Sequence, residues 1–151
     1  MANSRSKQVV AGIAAIHPTD ASALVQVVGE YVTKTGDVIG DIVEMGAFPR
    51  NCVLVDVVVD NGALGASATL DVGVMSGEYG DAVLGRTMGA EFVQTAAAAT
   101  AGVIRRNRVA SGVASSNLDR SWGIKFQGAN PAASQTIRAV ALFAPKLPGV
   151  A

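Results

Sequence analysis

Residues 52–77 carry the feature that most constrains the fold: two apolar runs of period two, separated by a turn rich in glycine, alanine and asparagine. Successive side chains of a strand point to opposite faces of the sheet, so this alternation predicts a strand with one buried face. The side chains predicted to face the core are Val53, Val55, Val57 and Val59 in the first run and Leu70, Val72 and Val74 in the second. Asp56 and Asp60 are predicted to face water. The pattern therefore predicts two strands joined by a turn.

Short apolar segments of the same kind recur along nearly the whole chain, with Gly, Asn or Pro between them. The further predicted strands are Val9–Ile16, Leu24–Thr33, Val38–Met45, Ser121–Gln127 and Gln135–Phe143, with edge strands at Val103–Ile104 and Val109–Ala114. The alanine-rich segment Glu91–Thr100 favours one short helix. Strands at this spacing without helical crossovers are typical of an antiparallel sandwich or barrel, here with about eight strands and at most one short helix.

Two of these segments predict where the core lies. Trp122, Ile124 and Phe126 share one face of their strand, which places the heaviest side chains of the segment inside. The segment Gln135–Phe143 is mostly apolar on both faces, which predicts a strand in the centre of a sheet or at a subunit contact.

Composition bounds the class of protein. The chain has 151 residues, 5% aromatic and 16% charged, and its 12 basic residues balance its 12 acidic ones. A length of this order predicts one domain with a full core. We expect the sandwich to span residues 9–146, between a flexible N-terminal arm of residues 1–8 and a C-terminal tail of residues 147–151. A net charge of zero argues against nucleic acid as a partner, and no run of residues is long and apolar enough for a membrane span.

The residue types of several catalytic and metal sites are present, but their positions in the sequence do not fit catalysis or metal binding. His17, Asp20 and Ser22 share one predicted loop, and no G-x-S-x-G elbow positions a nucleophile. One His and one Cys cannot supply a zinc site, and no glycine-rich phosphate-binding motif occurs. The single cysteine, Cys52, is consistent with synthesis in a reducing cytoplasm. We expect no catalytic residue, no metal and no cofactor, and hence a protein that is not an enzyme.

Three segments are candidates for contacts with other proteins. The N-terminal arm is polar and basic, and an arm of this kind can become ordered on a neighbouring subunit. The second candidate is the loop from Asn61 to Ser67, and the third is a cluster of arginines, whose guanidinium groups bind carboxylates in pairs. The predicted interface residues are Ser4, Arg5, Lys7, Asn61, Leu64, Arg105, Arg106 and Arg108. An alternative is a carbohydrate- or receptor-binding module, in which Trp122 or Tyr79 stacks on sugar.

Two parts of the sequence resemble a family of small structural proteins of tailed bacteriophages. They are residues 36–77, with the segments FPRNCVLVDVVVDN and LGASATLDVGVMSG, and DRSWGIKF at Asp119–Phe126. The proteins of this family are head decoration, or cement, proteins. The resemblance implies a jelly-roll sandwich that sits on the exterior of the virion capsid as a homo-oligomer, dimer or trimer, and bridges subunits of the major capsid protein. It implies no catalytic residue.

Overall fold

The structure is a computed structural model that describes residues 3–12, 24–108 and 113–146. Within these ranges the elements are nine strands and one four-residue helix. In chain order they are β1 (Asn3–Arg5), α1 (Lys7–Val10), β2 (Val25–Val32), β3 (Ile42–Phe48), β4 (Cys52–Asn61), β5 (Thr69–Met75), β6 (Val93–Ala97), β7 (Gly102–Arg105), β8 (Arg120–Gln127) and β9 (Thr136–Pro145).

The strands form two sheets, of order β1-β3-β8-β5-β6 and β2-β9-β4-β7. From β1 to β9 every connection crosses from one sheet to the other, except the one between β5 and β6. Two four-stranded sheets connected in this way form a jelly roll, and β1 is added beside β3. All paired strands are antiparallel apart from β1 and β3. The predicted all-β sandwich of jelly-roll type is confirmed.

The core lies between the sheets and is built from side chains on their inner faces. Trp122, Ile124 and Phe126 of β8 are fully buried there, as predicted. Phe143 of β9 packs against Phe48 of β3 with ring centroids 4.7 Å apart, which joins the two sheets. Strand β9 lies between β2 and β4, so the prediction that it is central in its sheet is also confirmed.

The face assigned to the valines of β4 is correct only for the second half of the strand. Val57 and Val59 are buried, whereas Val55 is exposed and its neighbour Leu54 faces the core instead. The pairing of β4 with β9 shifts between Leu54 and Asp56, so one extra residue enters the strand there. A bulge of this kind reverses which alternate residues point inward, and a period-two pattern read from sequence does not reveal it.

The predicted helix at Glu91–Thr100 is wrong, because the segment contains strand β6, which pairs with β5. Alanine favours a helix only weakly, and ten residues are too few to make an isolated helix stable. Long-range pairing therefore decides the conformation. Thr95 has a positive φ of 51°, and its backbone N–H donates to the Asp71 carboxylate at 2.7 Å.

The N-terminal region also differs from the prediction. Residues 3–5, expected in a flexible arm outside the sandwich, form β1, and Val9 and Val10, expected in a strand, lie in α1. The Ser6 hydroxyl caps this helix by accepting from the Val9 N–H, a local signal that competes with the apolar run. Residues 13–16 of the predicted strand lie outside the described residues, as do residues 109–112 and the tail of residues 147–151.

Candidate assembly surface

The long loop between β5 and β6, residues 76–92, runs beside the outer side of the five-stranded sheet. Its backbone meets β5 at Gly73, where an added Cβ would overlap the Gly89 carbonyl oxygen and the Glu91 carboxylate. Farther along, the Tyr79 N–H donates to the Asp119 carbonyl at 2.9 Å, which ties the loop to the segment before β8. The loop is thus part of the packed structure of this sheet.

Glu44 of β3 is the centre of the contacts that hold this loop. Its side chain is almost completely buried, at 1% exposure for the residue. The carboxylate accepts hydrogen bonds from Arg86 Nη1 at 2.8 Å, from the Gly80 N–H at 3.2 Å and from the Ser121 hydroxyl. Arg5 of β1 adds an ion pair, with Nε 3.5 Å from Glu44 Oε2. One carboxylate therefore joins β1, β3, β8 and the loop.

Arg86 is the buried partner of this carboxylate, at 5% exposure. Its remaining donors also find acceptors: Nε donates to the Ser76 carbonyl at 2.6 Å, and Nη2 donates to the Ser121 hydroxyl at 2.9 Å. Taking two charges out of water is unfavourable unless the pair is close and its other polar atoms are bonded, as they are here. Removing Glu44 would leave the buried Arg86 without its counter-ion, and removing Arg86 would leave the buried Glu44 with only the longer pair to Arg5, so the pair holds the loop in one position.

The tip of the loop, residues 82–84, carries exposed apolar side chains. Val83 is 62% exposed and Leu84 is 84% exposed, the largest value among the exposed large hydrophobic residues that the structure describes. Gly80 and Gly85 flank the tip with positive φ values of 78° and 86°, a conformation that favours glycine. We call residues 82–84 the apolar tip.

The N-terminal residues predicted to contact a partner are occupied within the subunit. Arg5 Nη2 donates to the Asp81 carbonyl at 2.8 Å and to the Gly80 carbonyl at 3.2 Å, beside the apolar tip. The Ser4 hydroxyl lies 3.4 Å from the oxygen of the Tyr31 hydroxyl, whose own proton is donated to the Asp37 carboxylate. Lys7, which is exposed, pairs with Glu30 of β2. Of these three residues, Arg5 is the one that belongs to the Glu44 cluster.

The predicted arginine cluster lies on the other side of the sandwich from the N-terminal strand, at the edge formed by β7. Arg105 Nη1 is 3.8 Å from Asp56 Oδ2, and since the Arg105 side chain is largely exposed and that of Asp56 partly exposed, the pair contributes little to stability. Arg106 is exposed, and Arg108 donates to the Gln94 side chain. The structure therefore separates the arginines from the N-terminal residues and does not form one patch from them.

Two of the predicted interface residues, Asn61 and Leu64, have buried side chains, so these side chains do not reach the surface of the subunit. The loops 33–41, 62–68, 98–101 and 128–135 meet at one end of the sandwich. The Leu64 N–H donates to the Ala98 carbonyl at 3.0 Å, and the Leu64 carbonyl accepts from the Ala132 N–H at 2.8 Å. Leu64 fills the space among these loops, and the Asn61 amide donates to the Gly62 and Thr100 carbonyls.

The same end is nearly free of surface charge. Its four loops contain three charged residues, of which Asp37 and Asp41 are buried and Lys34 is exposed. Val38 and Ile39 are exposed beside Lys34. We call these four loops the neutral end. A surface of this composition loses little hydration on docking.

The residues that organise the apolar tip were missed at the sequence level. A signal for Glu44 was present, since it is a charge inside the otherwise apolar segment Ile42–Phe48. The triplet of residues 82–84 is an apolar group between Asp81 and Gly85 in a segment without strand periodicity. Neither signal identifies the partner Arg86, because 42 residues separate it from Glu44.

The residues proposed for sugar binding do not form an open aromatic platform. Trp122 is completely buried in the core, so its ring cannot stack on a ligand. Tyr79 is half-buried, and burial raises the pKa of its hydroxyl.

Among the described residues there is no group of three or more His, Cys, Asp or Glu side chains placed to hold a metal ion. In the same part of the chain, no helix has the length and apolar character needed to cross a membrane. His17, Asp20 and Ser22 lie outside the described residues.

The structure is similar to chains of three phage capsids. A chain in the capsid of Ralstonia phage GP4 has a TM-score of 0.84 and 28% sequence identity, over 99% of both chains. A chain in the capsid asymmetric unit of cyanophage Pam1 has a TM-score of 0.60 and 16% identity, over 88% of this chain and 92% of that one. A chain in the acidic stable capsid of Helicobacter pylori bacteriophage KHP30 has a TM-score of 0.50 and 14% identity, over 83% and 91%.

The last two similarities concern the fold alone, whereas the first extends to the sequence along the whole chain. No protein-family model matches the sequence, and no curated protein matches it either. The structural neighbours of this chain are thus phage capsid proteins.

Proposed function

We propose that this chain is a structural virion protein that binds the outer surface of a bacteriophage capsid and reinforces contacts between subunits of the major capsid protein. The observation that carries the proposal is the similarity to a chain of the Ralstonia phage GP4 capsid, at 28% identity over 99% of both chains.

The physical properties of the subunit suit this role. The core packs the two sheets tightly against each other, so the loops and side chains on the surface are held in fixed positions. The neutral end and the apolar tip lose little hydration when they dock. We expect the protein to act as a homo-oligomer, dimer or trimer, because several modest contacts made by one oligomer add to a strong attachment.

The proposed role is binding and not catalysis. The alternative, a carbohydrate- or receptor-binding module, required Trp122 or Tyr79 as an aromatic platform. The burial of Trp122 removes one of these two candidates. Ligand-induced changes in tryptophan fluorescence or binding on a glycan array would favour the alternative.

The experiment uses heads of the phage that encodes this chain, assembled with its gene deleted. Purified protein is added to these heads, and occupancy is measured by quantitative gel analysis and by cryo-electron microscopy difference maps. We expect saturable binding and added density on the exterior. Density inside the shell, or no binding at any concentration tested, would contradict the proposal. The mass of the free protein in analytical ultracentrifugation gives the oligomeric state.

The N-terminal segment is tested in the same assay. Deletion of residues 1–8 removes β1 and the Arg5 contacts to the 76–92 loop. We expect lower occupancy of the heads than with the intact protein. Full occupancy would remove Ser4, Arg5 and Lys7 from the proposed contact residues.

A further inference from the structure

The apolar tip is exposed although the loop that carries it is strongly held. Val83 and Leu84 are adjacent, and both present most of their side-chain surface to solvent. Exposed apolar surface forgoes stabilisation of about 25 cal/mol per Å² that burial would supply. Two neighbouring side chains of this kind on a defined loop therefore indicate a contact that another molecule completes.

The fixed position of the tip distinguishes it from an ordinary flexible loop. Glu44 and Arg86 form a buried ion pair next to it, and Arg5, which also pairs with Glu44, donates to the carbonyls of Gly80 and Asp81. A buried ion pair is weak evidence for added stability, because desolvation offsets the attraction, but it demands one geometry. Because the ion pair lies next to the tip, its single geometry also fixes the position of Val83 and Leu84.

The size of the tip indicates which kind of partner it fits. A stable interface between two free proteins buries about 800 Å² on each partner, far more than two side chains supply. Three small to medium apolar side chains would fill a small cavity and would supply only a small part of a contact with a second copy. A small apolar anchor of this type suits a subunit that is already held on a repetitive surface by other contacts, where each further contact adds to the attachment.

We propose that Val83 and Leu84 form an anchor that inserts into an apolar cavity on the outer surface of the capsid shell. Glu44 and Arg86 act as the positioning pair of this anchor. The inference rests on the proposed function and deepens it by naming the contact residues.

The test compares matched substitutions in the intact protein. Val83→Asp and Leu84→Asp place a charge on the tip, and Val103→Asp places one on strand β7, where the valine is 60% exposed and hence comparable to Val83. Affinity is measured on heads assembled without this protein. We expect the two tip variants to bind about tenfold more weakly or worse, because anchors in a cavity dominate binding energy, and the control to bind as the unchanged protein does.

The positioning role is tested with Glu44→Gln at a temperature where circular dichroism shows a folded sandwich. Hydrogen exchange over residues 77–86 should become faster, and affinity for heads should fall. Leu84→Asp should weaken binding without changing this exchange. The difference separates loss of position from loss of contact.

Each outcome supports or overturns the inference. If the unchanged protein fails to bind heads, both the proposed function and the anchor are wrong. If it binds and the tip variants bind equally well, the anchor alone is wrong. A change in oligomeric mass caused by Leu84→Asp would assign the tip to contacts between copies of this chain and would also overturn the anchor. Unchanged affinity and exchange in Glu44→Gln would remove the positioning pair.

Discussion

Glu44 combines several structural functions in one side chain. It is a charged residue on the outer face of a sheet, where the alternation of a strand predicts contact with water. The 76–92 loop removes that water and replaces it with Arg86, Ser121 and the Gly80 N–H. The residue is thus satisfied by partners on elements distant in sequence, and its burial depends on all of them being present.

The first residue-scale prediction concerns this carboxylate. Glu44→Gln leaves Arg86 charged and buried without its counter-ion, so the free energy of unfolding should fall by about 3–5 kcal/mol. The control is Asp56→Asn, which breaks an exposed pair with Arg105 and should change it by less than about 1 kcal/mol. Urea denaturation measures both. Equal effects of the two substitutions would contradict the assigned role of Glu44.

The second residue-scale prediction concerns alkaline pH. Burial, together with a hydrogen bond from its hydroxyl to Asp37, raises the pKa of Tyr31 to about 12. The folded state then holds the Tyr31 proton more tightly than the unfolded state, whose tyrosine titrates near pH 10. The contribution of this group to stability is therefore complete below about pH 10 and is lost as the pH rises through about 12, with a magnitude of about 3 kcal/mol.

Tyr31→Phe should flatten this dependence, because phenylalanine has no proton to lose. Tyr79→Phe serves as the control, since it leaves Tyr31 in place. The measurement is the free energy of unfolding in urea at a series of pH values between 9 and 12. If the free energy of unfolding fell as much with rising pH in Tyr31→Phe as in the unchanged protein, Tyr31 would not be the source of the pH dependence.

At the scale of elements, β6 shows how pairing overrides local preference. Its alanines favour a helix, yet the segment completes the edge of the five-stranded sheet beside β5. The loop before it approaches β5 so closely that a side chain at Gly73 has no room. Glycine at this position is therefore a requirement of the packing between two backbones.

Gly73→Ala should accordingly destabilise the protein, by about 1–3 kcal/mol or more, because the overlap is with the backbone of Gly89 and cannot be relieved by a rotamer change. Gly36→Ala is the matched control, since nothing lies within 4 Å of its added Cβ. The control should be neutral or slightly stabilising, because alanine restricts the unfolded chain. Thermal and urea unfolding measure the difference. Equal stability of the two variants would contradict the close approach.

At the scale of the whole molecule, the sandwich has two unlike ends. The neutral end exposes one charged side chain on its four loops, whereas the loops at the opposite end carry Arg50, Glu78, Asp81 and Asp119, none of which is fully buried. Charged groups are expensive to desolvate and neutral ones are not. The subunit therefore offers different surfaces in different directions, which suits a protein that sits on a shell in one orientation.

The whole-molecule prediction concerns reinforcement of the shell. Heads saturated with the protein should withstand higher temperatures before releasing DNA than heads lacking it, because bound subunits stabilise the assembled state by mass action. Release is followed by the fluorescence of a DNA-binding dye during heating. Heads saturated with the Val103→Asp control should behave like those with the unchanged protein. Identical release temperatures with and without bound protein would contradict a reinforcing role.

The sequence by itself determined the class of fold and most of the core. Alternating apolar residues identified β2, β5, β8 and β9, because a half-buried strand needs a period of two regardless of its partners. The buried positions of Trp122 and Phe126 followed from the same rule. These properties are determined by residues that are close together in the sequence.

The tertiary structure alone decided the features that depend on distant partners. The bulge in β4 is set by its pairing with β9, and β6 became a strand because β5 lies beside it. Asn61 and Leu64 are buried because four loops meet around them. Glu44 and Arg86 form a site because the fold brings together two residues that lie on different elements. The pattern of residues along the sequence does not reveal contacts between distant residues, because their favourable free energy arises only when the whole chain packs.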